Sequence, residues 1–160
     1  MLIPNLITIP PKTLIGTSVE MSLANNLTGQ LWSAFMPRQK EIDNRVNADF
    51  ISLQVYPDGY FKGDFNPAAT FTKHALVEVD SLIDIPAGMT SFELEGGLYA
   101  VFHHVGNDTS IFQEIYMNWL PNSEYQLDNR PHYEVLGEKY KNNDPTSEED
   151  IFIPIRLKKE

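Results

Sequence analysis

Hydrophobic residues recur at helical spacing in two short stretches of the chain. In the first, over residues 28–36, Leu27, Leu31 and Phe35 are each four positions apart, which places them on one face of a helix. Pro37 should end this helix, because proline cannot donate the backbone hydrogen bond that a helix interior requires. The pattern therefore predicts an amphipathic helix that packs its apolar stripe on a core.

The second helical stretch covers residues 111–120 and should stop before Pro121. Ser110 and Gln113 have the spacing of a capping box, in which two side chains satisfy free N–H groups at the start of a helix. Five apolar residues occupy one side of this helix, three in a stripe and two beside it: Ile111, Ile115, Trp119, Phe112 and Tyr116.

Runs rich in β-branched and aromatic residues fill the remainder of the chain and predict strands. These runs are residues 13–22, 49–56, 70–79, 92–104, 131–140 and 150–157. Gly96-Gly97 interrupts one of them and predicts a turn or bulge. Each half, about 5–80 and about 90–157, then has the order β-α-β-β. We expect one α+β domain over residues 1–160, with two helices and about six to eight strands.

A short internal repeat supports this division into two halves. Asp43-Asn44-Arg45 recurs 85 positions later as Asp128-Asn129-Arg130. Each copy follows a predicted helix and precedes a predicted strand. A match of three residues is weak by itself, but the shared order of helix, motif and strand indicates an internal duplication.

One carboxylate interrupts an otherwise apolar or aromatic strand pattern. Glu134 stands in the run RPHYEVL over residues 130–136. If this strand is buried on both faces, the charge is costly unless a cationic group answers it. The alternative is that Glu134 faces solvent, as most glutamates do. The rest of the sheet decides between the two, and Glu134 is the leading candidate for a functional residue.

Composition and charge exclude several classes of function. The chain has 160 residues, a formal net charge of −10 and no cysteine, so disulfides and thiolate metal sites are excluded. Its Lys and Arg residues are scattered and do not form the basic stripe of a nucleic-acid-binding protein. The apolar N-terminal segment is broken by prolines and has no basic n-region, and no run could span a membrane. We expect a cytoplasmic protein.

Motifs for catalysis and metal binding are missing from the sequence. His103 and His104 are adjacent, so on a strand they point to opposite faces and cannot bind one metal ion together. Glu134 and Glu138 would share a strand face about 13 Å apart, beyond the separation of paired glycosidase carboxylates. No phosphate-binding loop or hydrolase motif occurs. We expect no catalytic residue, no metal and no cofactor.

Four blocks of the second half resemble the GyrI-like effector-binding family. They are GLYAVFHHVG at 97–106, IYMNWLP at 115–121, RPHYEVL at 130–136 and IFIPI at 151–155. This family includes the ligand-binding domains of AraC-type and MerR-type multidrug regulators. The resemblance implies two β-α-β-β repeats related by a pseudo-two-fold axis, a mainly antiparallel sheet and a ligand pocket between the repeats. No helix-turn-helix segment occurs, so the chain resembles the standalone members, some carried on mobile cassettes.

The resemblance also implies a site for lipophilic cations. Glu134 occupies the position of the acidic residue at the base of the family's pocket, where an organic cation would pair with it. Aromatic walls would add cation–π attraction of roughly 0.5–2 kcal/mol per ring. Core packing is the alternative for each aromatic, and the sequence does not rank Tyr56, Tyr60 or Tyr99. The expected ligand-binding residues are Glu134, Trp32, Phe50, Trp119, Leu136 and Phe152.

Two other functions stay open on the same resemblance. Some members hydrolyse strained, cyclopropane-containing alkylating agents with a pocket glutamate, and others inhibit a topoisomerase by binding to it. Likeness of fold does not separate these functions, because function belongs to the site. We expect a non-enzymatic protein that binds a cationic small molecule. A homodimer or a regulatory protein partner also stays open.

Overall fold

Antiparallel strands dominate the fold. The computed structural model describes residues 2–159, in which every pairing between the strands is antiparallel. With two helical regions, these strands form the predicted α+β fold. No described helix is long and apolar enough to cross a membrane. The strands are β1 Asn5–Ile9, β2 Lys12–Ser22, β3 Phe50–Val55, β4 Thr70–Val79, β5 Thr90–Leu94, β6 Gly97–Val105, β7 Tyr125–Leu127, β8 His132–Leu136 and β9 Glu148–Leu157.

The first predicted helix is present, with its apolar stripe buried. Helix α1 covers Thr28–Phe35 and continues as a 3₁₀ turn over Met36–Glu41. Leu31 and Phe35 are buried on the helical stripe, as predicted. Pro37 stands near the start of the 3₁₀ segment, where a missing N–H donor costs nothing, so the chain tightens there and does not leave the helical path at once.

The second helical region starts where predicted but is less regular. It runs through three segments, which are helix α2 Ser110–Glu114, a π-helical turn Ile115–Trp119, and helix α3 Leu120–Asn122. The expected stop before Pro121 was wrong, because the proline stands in the first turn of α3 and needs no donor there. The capping box of Ser110 and Gln113 was also wrong. Thr109 is the N-cap residue without a side-chain hydrogen bond, and the Ser110 hydroxyl donates to Asp108.

All six predicted strand regions contain strands, and the run over residues 92–104 divides into β5 and β6 at Glu95-Gly96. Strand β8 ends at Leu136, before Gly137, and not at residue 140 as predicted. Strands β1 and β7 were not predicted. The prolines around β1 obscured its pattern, and β7 is only three residues long.

The two halves are built alike and meet at the centre of the sheet. In the first half β2 pairs with β4 and β4 with β3; in the second, β6 pairs with β9 and β9 with β8. The strands β3 and β8 pair with each other, so the pseudo-two-fold axis passes between them. Each half also lends a strand to the other, since β1 pairs with β6 and β5 with β2. The predicted tandem β-α-β-β repeats are confirmed, with one exchanged strand added to each.

The sheet is strongly curved, because short links join strands that are far apart in its order. Strand β1 is first and β2 seventh across the sheet, yet only Pro10-Pro11 lies between them. Six strand spacings in a flat sheet measure about 29 Å, whereas three Cα–Cα steps span at most about 11 Å. The two-residue link Glu95-Gly96 imposes the same limit on β5 and β6. The sheet therefore has an enclosed concave face and an outer face.

Separate apolar clusters occupy the two faces. The concave cluster includes Leu14, Leu53, Tyr99 and Tyr133, which come from strands in both halves of the sheet. On the outer face one cluster lies under each helix, and strands β3 and β8 run between them. The first cluster joins Leu31 and Phe35 of α1 to Ile15, Ala75 and Val77 of the sheet. The second joins Ile111 and Ile115 of the second helical region to Phe102, Ile151 and Ile153 of the sheet.

The arginine of each Asp-Asn-Arg motif lies over an aromatic ring, that of Phe50 on β3 for Arg45 and that of Tyr99 on β6 for Arg130. The guanidinium carbon of Arg45 lies 4.7 Å from the ring centre of Phe50, and that of Arg130 lies 4.7 Å from the ring centre of Tyr99. Arg130 also donates to the backbone carbonyls of Leu98 and Ile155. Each arginine thus anchors the chain as it returns from a helix to the sheet, by a cation–π contact.

Gly16 is one position in the sheet where a side chain cannot be added. A Cβ built there would overlap the backbone carbonyl oxygen of Ala75 on the paired strand β4. We expect Gly16→Ala to lower the free energy of unfolding by about 1–3 kcal/mol, because a hydrogen-bonded backbone cannot move aside cheaply. Urea unfolding measures the change. Gly29→Ala in α1, where nothing lies within 4 Å of the added carbon, should be neutral or stabilising by up to about 1 kcal/mol.

Candidate ligand-binding site

Glu134 lies at the centre of the sheet, where the two halves meet. It is the middle residue of β8, opposite Ser52 of β3 and Ile151 of β9. Its side chain points to the outer face, because its neighbour Tyr133 belongs to the concave cluster and adjacent strand residues alternate. The side chain is only 14% exposed. The alternative of a solvent-facing glutamate therefore does not describe this residue.

Two polar side chains approach the carboxylate of Glu134, and both contacts are long. Gln54 Nε2 lies 3.3 Å and Lys73 Nζ 3.9 Å from the same oxygen, Oε1. Burial raises the pKa of Glu134, although the positive charge of Lys73 acts the other way. Burial likewise lowers the pKa of Lys73 against the effect of Glu134. Neither charge is fully compensated by the protein, because good charge-assisted hydrogen bonds are about 2.7–2.9 Å long.

Six aromatic rings, here called the aromatic cluster, lie beside Glu134 on the same face. They are Tyr56, Tyr60, Phe61, Phe71, Tyr116 and His132. Tyr56 is central, with ring centres 4.6 Å from Tyr60 and 4.8 Å from Phe61. Phe61 stacks on His132 at 5.3 Å, yet its side chain is 45% exposed. The loop between β3 and β4 thus places two rings over the sheet, with one side of Phe61 open to solvent.

The π turn after α2 joins the aromatic cluster through a hydrogen bond. Tyr116 Oη lies 3.2 Å from His132 Nδ1. Burial, together with a smaller effect of the Arg130 charge, lowers the pKa of His132 to about 3. The imidazole is therefore neutral at pH 7 and can accept the Tyr116 hydroxyl at Nδ1 when its own proton is on Nε2. It adds no positive charge that would compete for Glu134.

An open cavity of about 510 Å³ lies at the end of the central strands away from the aromatic cluster, and Glu134 is not among its lining residues. Its lining comes from both faces of the sheet, because His103, Val135 and Asp150 are in register with one another and Val135 packs on the concave cluster. Phe50 and Leu136, which pair across β3 and β8, are its apolar lining residues on the outer face. Its volume falls within the range of about 300–1,000 Å³ that is usual for small-molecule sites. Carboxylates outnumber cationic groups around it, with Asp49, Glu138, Glu148, Glu149 and Asp150 against His103 and Lys139.

Four of the six residues predicted from sequence lie in or next to this region. Glu134, Phe50 and Leu136 share the outer face of the central strands. Trp32 of α1 reaches the same region through Phe50, with ring centres 5.9 Å apart. It also packs against Phe35 in the cluster under α1. Trp32 is thus at the edge of the site and partly in the core.

The structure does not bring the other two predicted residues to Glu134. Trp119 packs edge-on against Phe102, with ring centres 5.2 Å apart, and stacks on Tyr125 in the core under the second helical region. Phe152 lies on the concave face, stacked on Tyr133 with ring centres 4.4 Å apart. It faces away because its partner in the β8–β9 ladder is Tyr133.

Several residues beside Glu134 were missed by the sequence pattern. Lys73 stands in the same row of β4 as the buried residues Phe71 and Ala75, and this apolar alternation was a signal for an inward-facing lysine. Tyr116 was visible only as a member of a helical stripe. Phe61 had no signal, because it lies in a loop whose path depends on the folded sheet.

The adjacent histidines behave as their strand position requires. His103 is on the exposed side, with Nδ1 2.8 Å from Asp150 and Nε2 2.9 Å from Glu148. His104 is buried on the other side and approaches Asp108 at 3.3 Å. Within residues 2–159 no group of three or more histidines and carboxylates is arranged to hold a metal ion.

Comparison with known proteins identifies the family. Residues 5–155, which include both halves and Glu134, match the family described as Cass2, integron-associated effector binding protein. The chain belongs to this family. The resemblance to effector-binding domains that the sequence suggested is therefore confirmed, as is the fold that it implied.

Three similar proteins show how widely the fold is used. The transcriptional regulator BrlR of Pseudomonas aeruginosa is 29% identical over 154 residues, which cover 91% of this chain and 53% of BrlR. This chain thus spans about half the length of that curated relative. The structure of SAV2435 bound to tetraphenylphosphonium has a TM-score of 0.64 at 17% identity, covering 97% and 94% of the two chains. A hydrolase of Listeria innocua has a TM-score of 0.62 at 11% identity, covering 96% and 91%. Likeness at such low identity shows the fold alone.

Proposed function

We propose that this effector-binding protein takes an amphipathic organic cation on the outer face of its sheet, with the positive charge against Glu134. The observation that carries the proposal is that the protein neutralises the charge of Glu134 only in part. Within residues 2–159, Gln54 Nε2 at 3.3 Å and Lys73 Nζ at 3.9 Å both approach the same carboxylate oxygen, Oε1. A cation beside Oε2 would favour the charged form that burial disfavours. In this proposal the halves 5–80 and 90–157 form one binding domain.

The cavity at the neighbouring end of the central strands favours a positively charged ligand. Five carboxylates and only two cationic groups line it. A cleft with one dominant sign of charge raises the local concentration of oppositely charged ligands. The effect is screened by salt, because these groups are near the surface. Phe50, Val135 and Leu136 offer apolar contact within the cavity.

The aromatic cluster would supply a wall for the apolar body of the ligand. Tyr56 and Tyr116 lie close enough to Glu134 for its charge to raise the pKa of both hydroxyls, in addition to the larger effect of burial. A cation held by Glu134 would thus lie near several ring faces, each of which attracts positive charge. The loop carrying Tyr60 and Phe61 would have to open to admit a bulky ligand, and Phe61 is already exposed on this loop.

Replacement of Phe61 tests the aromatic wall. Phe61→Ala should weaken binding of tetraphenylphosphonium by roughly 0.5–2 kcal/mol, the value of one favourable cation–π contact. Isothermal titration calorimetry measures the change. Phe65→Ala is the matched control, since Phe65 lies in the same loop and is 77% exposed. Equal losses in the two variants would contradict a specific role for Phe61.

The relatives support this proposal at different levels. SAV2435 has been seen with tetraphenylphosphonium, a lipophilic cation, which makes that compound the first probe. BrlR is a transcriptional regulator. We propose that ligand occupancy in this protein is likewise read by a regulatory partner or by a DNA-binding domain.

Hydrolysis is the alternative that the same carboxylate allows. Glu134 could act as a base or position a water molecule for attack on a strained alkylating agent. Reversible binding of a cation at one equivalent, with no turnover of such an agent, supports the binding proposal. Turnover by the wild type that is lost in Glu134→Gln would identify an enzyme.

A further inference from the structure

Lys73 is a residue that a simple cation site does not need. It lies on β4 in the same row as the buried residues Phe71 and Ala75, and its own side chain is only 10% exposed. A buried ammonium is costly unless an opposite charge faces it. Glu134 is that charge, at 3.9 Å. The carboxylate proposed to bind a ligand's cation therefore already has a resident counter-ion.

This pairing changes which ligands are favoured. Lys73 and Glu134 neutralise each other, and the carboxylate of Glu149 is close enough to act on the pKa of both. A ligand with a single positive charge would place a second cation close to the Lys73 ammonium, and like charges repel strongly where water is excluded. A ligand that also carries an anionic group removes this repulsion, since that group can accept hydrogen bonds from Lys73.

The contact between the two charges can be opened at little cost. The contact between Lys73 and Glu134 is longer than a hydrogen bond, so no short bond has to break when a ligand group enters. Lys73 pairs with Gln54, which pairs with His132, so the lysine approaches Glu134 from the side of the aromatic cluster.

We infer that Lys73 is a specificity-determining residue and that the site selects zwitterionic ligands. Such a ligand joins an organic cation, which binds Glu134, to a carboxylate or similar acceptor, which binds Lys73. The inference rests on the proposed function and deepens it, because it assumes that a cation binds Glu134.

Titrations with two matched probes test the inference. One is methyltriphenylphosphonium, and the other is a triphenylphosphonium that carries a carboxylate on a short alkyl chain. The wild type should bind the carboxylated probe about tenfold more tightly. In Lys73→Met the order should reverse, with the simple cation bound about tenfold more tightly than in the wild type and the carboxylated probe about tenfold more weakly.

Two further variants serve as controls. Lys73→Arg keeps the charge and should keep the wild-type preference. Lys12→Met removes a partly exposed lysine that pairs with Glu78 at 3.1 Å, and it should leave the ratio of the two dissociation constants unchanged. Partial unfolding of a variant lowers its active fraction equally for both probes, so the ratio stays informative.

The outcomes separate this inference from the proposed function. If Lys73→Met has the wild-type ratio while Glu134→Gln still weakens both probes, Lys73 does not set specificity and the cation site stands. If neither probe binds the wild type or Lys73→Met, the cation site itself is refuted, and the inference with it.

Discussion

Glu134→Gln is expected to weaken binding of methyltriphenylphosphonium by about 1.5–3 kcal/mol, or roughly ten- to 150-fold, and to leave binding of triphenylphosphine oxide nearly unchanged. The two ligands share a triphenyl body and differ mainly in charge. Glutamine keeps the shape of the side chain and can still meet Gln54, but it carries no negative charge. Calorimetric titration of both ligands at low ionic strength measures the difference.

Glu138→Gln is the matched control for this result. Glu138 lines the neighbouring cavity and is exposed, so its removal changes the net charge equally without touching the buried carboxylate. Its effect should be under about 1 kcal/mol and should fade with added salt. Equal loss of the cationic and the neutral ligand in Glu134→Gln would refute charge pairing.

The second large effect concerns His132 and the pH dependence of stability. Burial lowers its pKa to about 3 in the folded protein, and the ring is only 4% exposed. An unfolded histidine titrates near about 6.5. As pH falls below that value, the His132 imidazole is protonated in the unfolded state but stays neutral in the folded state. Stability is therefore lost on acidification, by about 2 kcal/mol between about pH 7 and about pH 5 for this residue.

His132→Gln should remove this part of the acid destabilisation. The measurement is urea unfolding of wild type and variant across this pH range, and the informative quantity is the difference between the two curves. The variant is expected to lose the hydrogen bond with Tyr116 at every pH, but the difference in free energy of unfolding should shrink as pH falls. A difference that stays constant with pH would show that His132 is not held neutral.

His103→Gln is the control of opposite sign. Hydrogen bonds to Asp150 and Glu148 raise the pKa of His103, so its contribution is present below the unfolded value and is lost as pH rises through the folded one. Its replacement should therefore cost more at low pH than at neutral pH. The two histidine variants together distinguish a specific effect of burial from a general effect of acid.

Local periodicity was enough to predict the repeated elements of this fold. The stripe of Leu31 and Phe35 indicated α1, and Thr70–Val79 was predicted with the bounds that the structure has. Strand β1 escaped because its partner is β6, in the other half. Exchange of β1 and β5 between halves depends on the curvature of the sheet, which no local pattern records.

The candidate site was predictable only in part, for reasons of register. Glu134 could be found because its charge breaks an apolar run. Phe152 could not be placed, because one residue of register decides whether it accompanies Glu134 or Tyr133 on a face. Lys73 meets Glu134 across two intervening ladder contacts, β4 to β3 and β3 to β8, and such a meeting follows from strand order.

A crystal structure of the protein with tetraphenylphosphonium tests the central claim most directly. The account predicts the phosphonium on the outer face, with its phosphorus within about 6 Å of the Glu134 carboxylate and its rings against the aromatic cluster. It would be contradicted by a cation held only by the exposed carboxylates of the cavity rim, with the 3.9 Å contact between Lys73 and Glu134 unchanged.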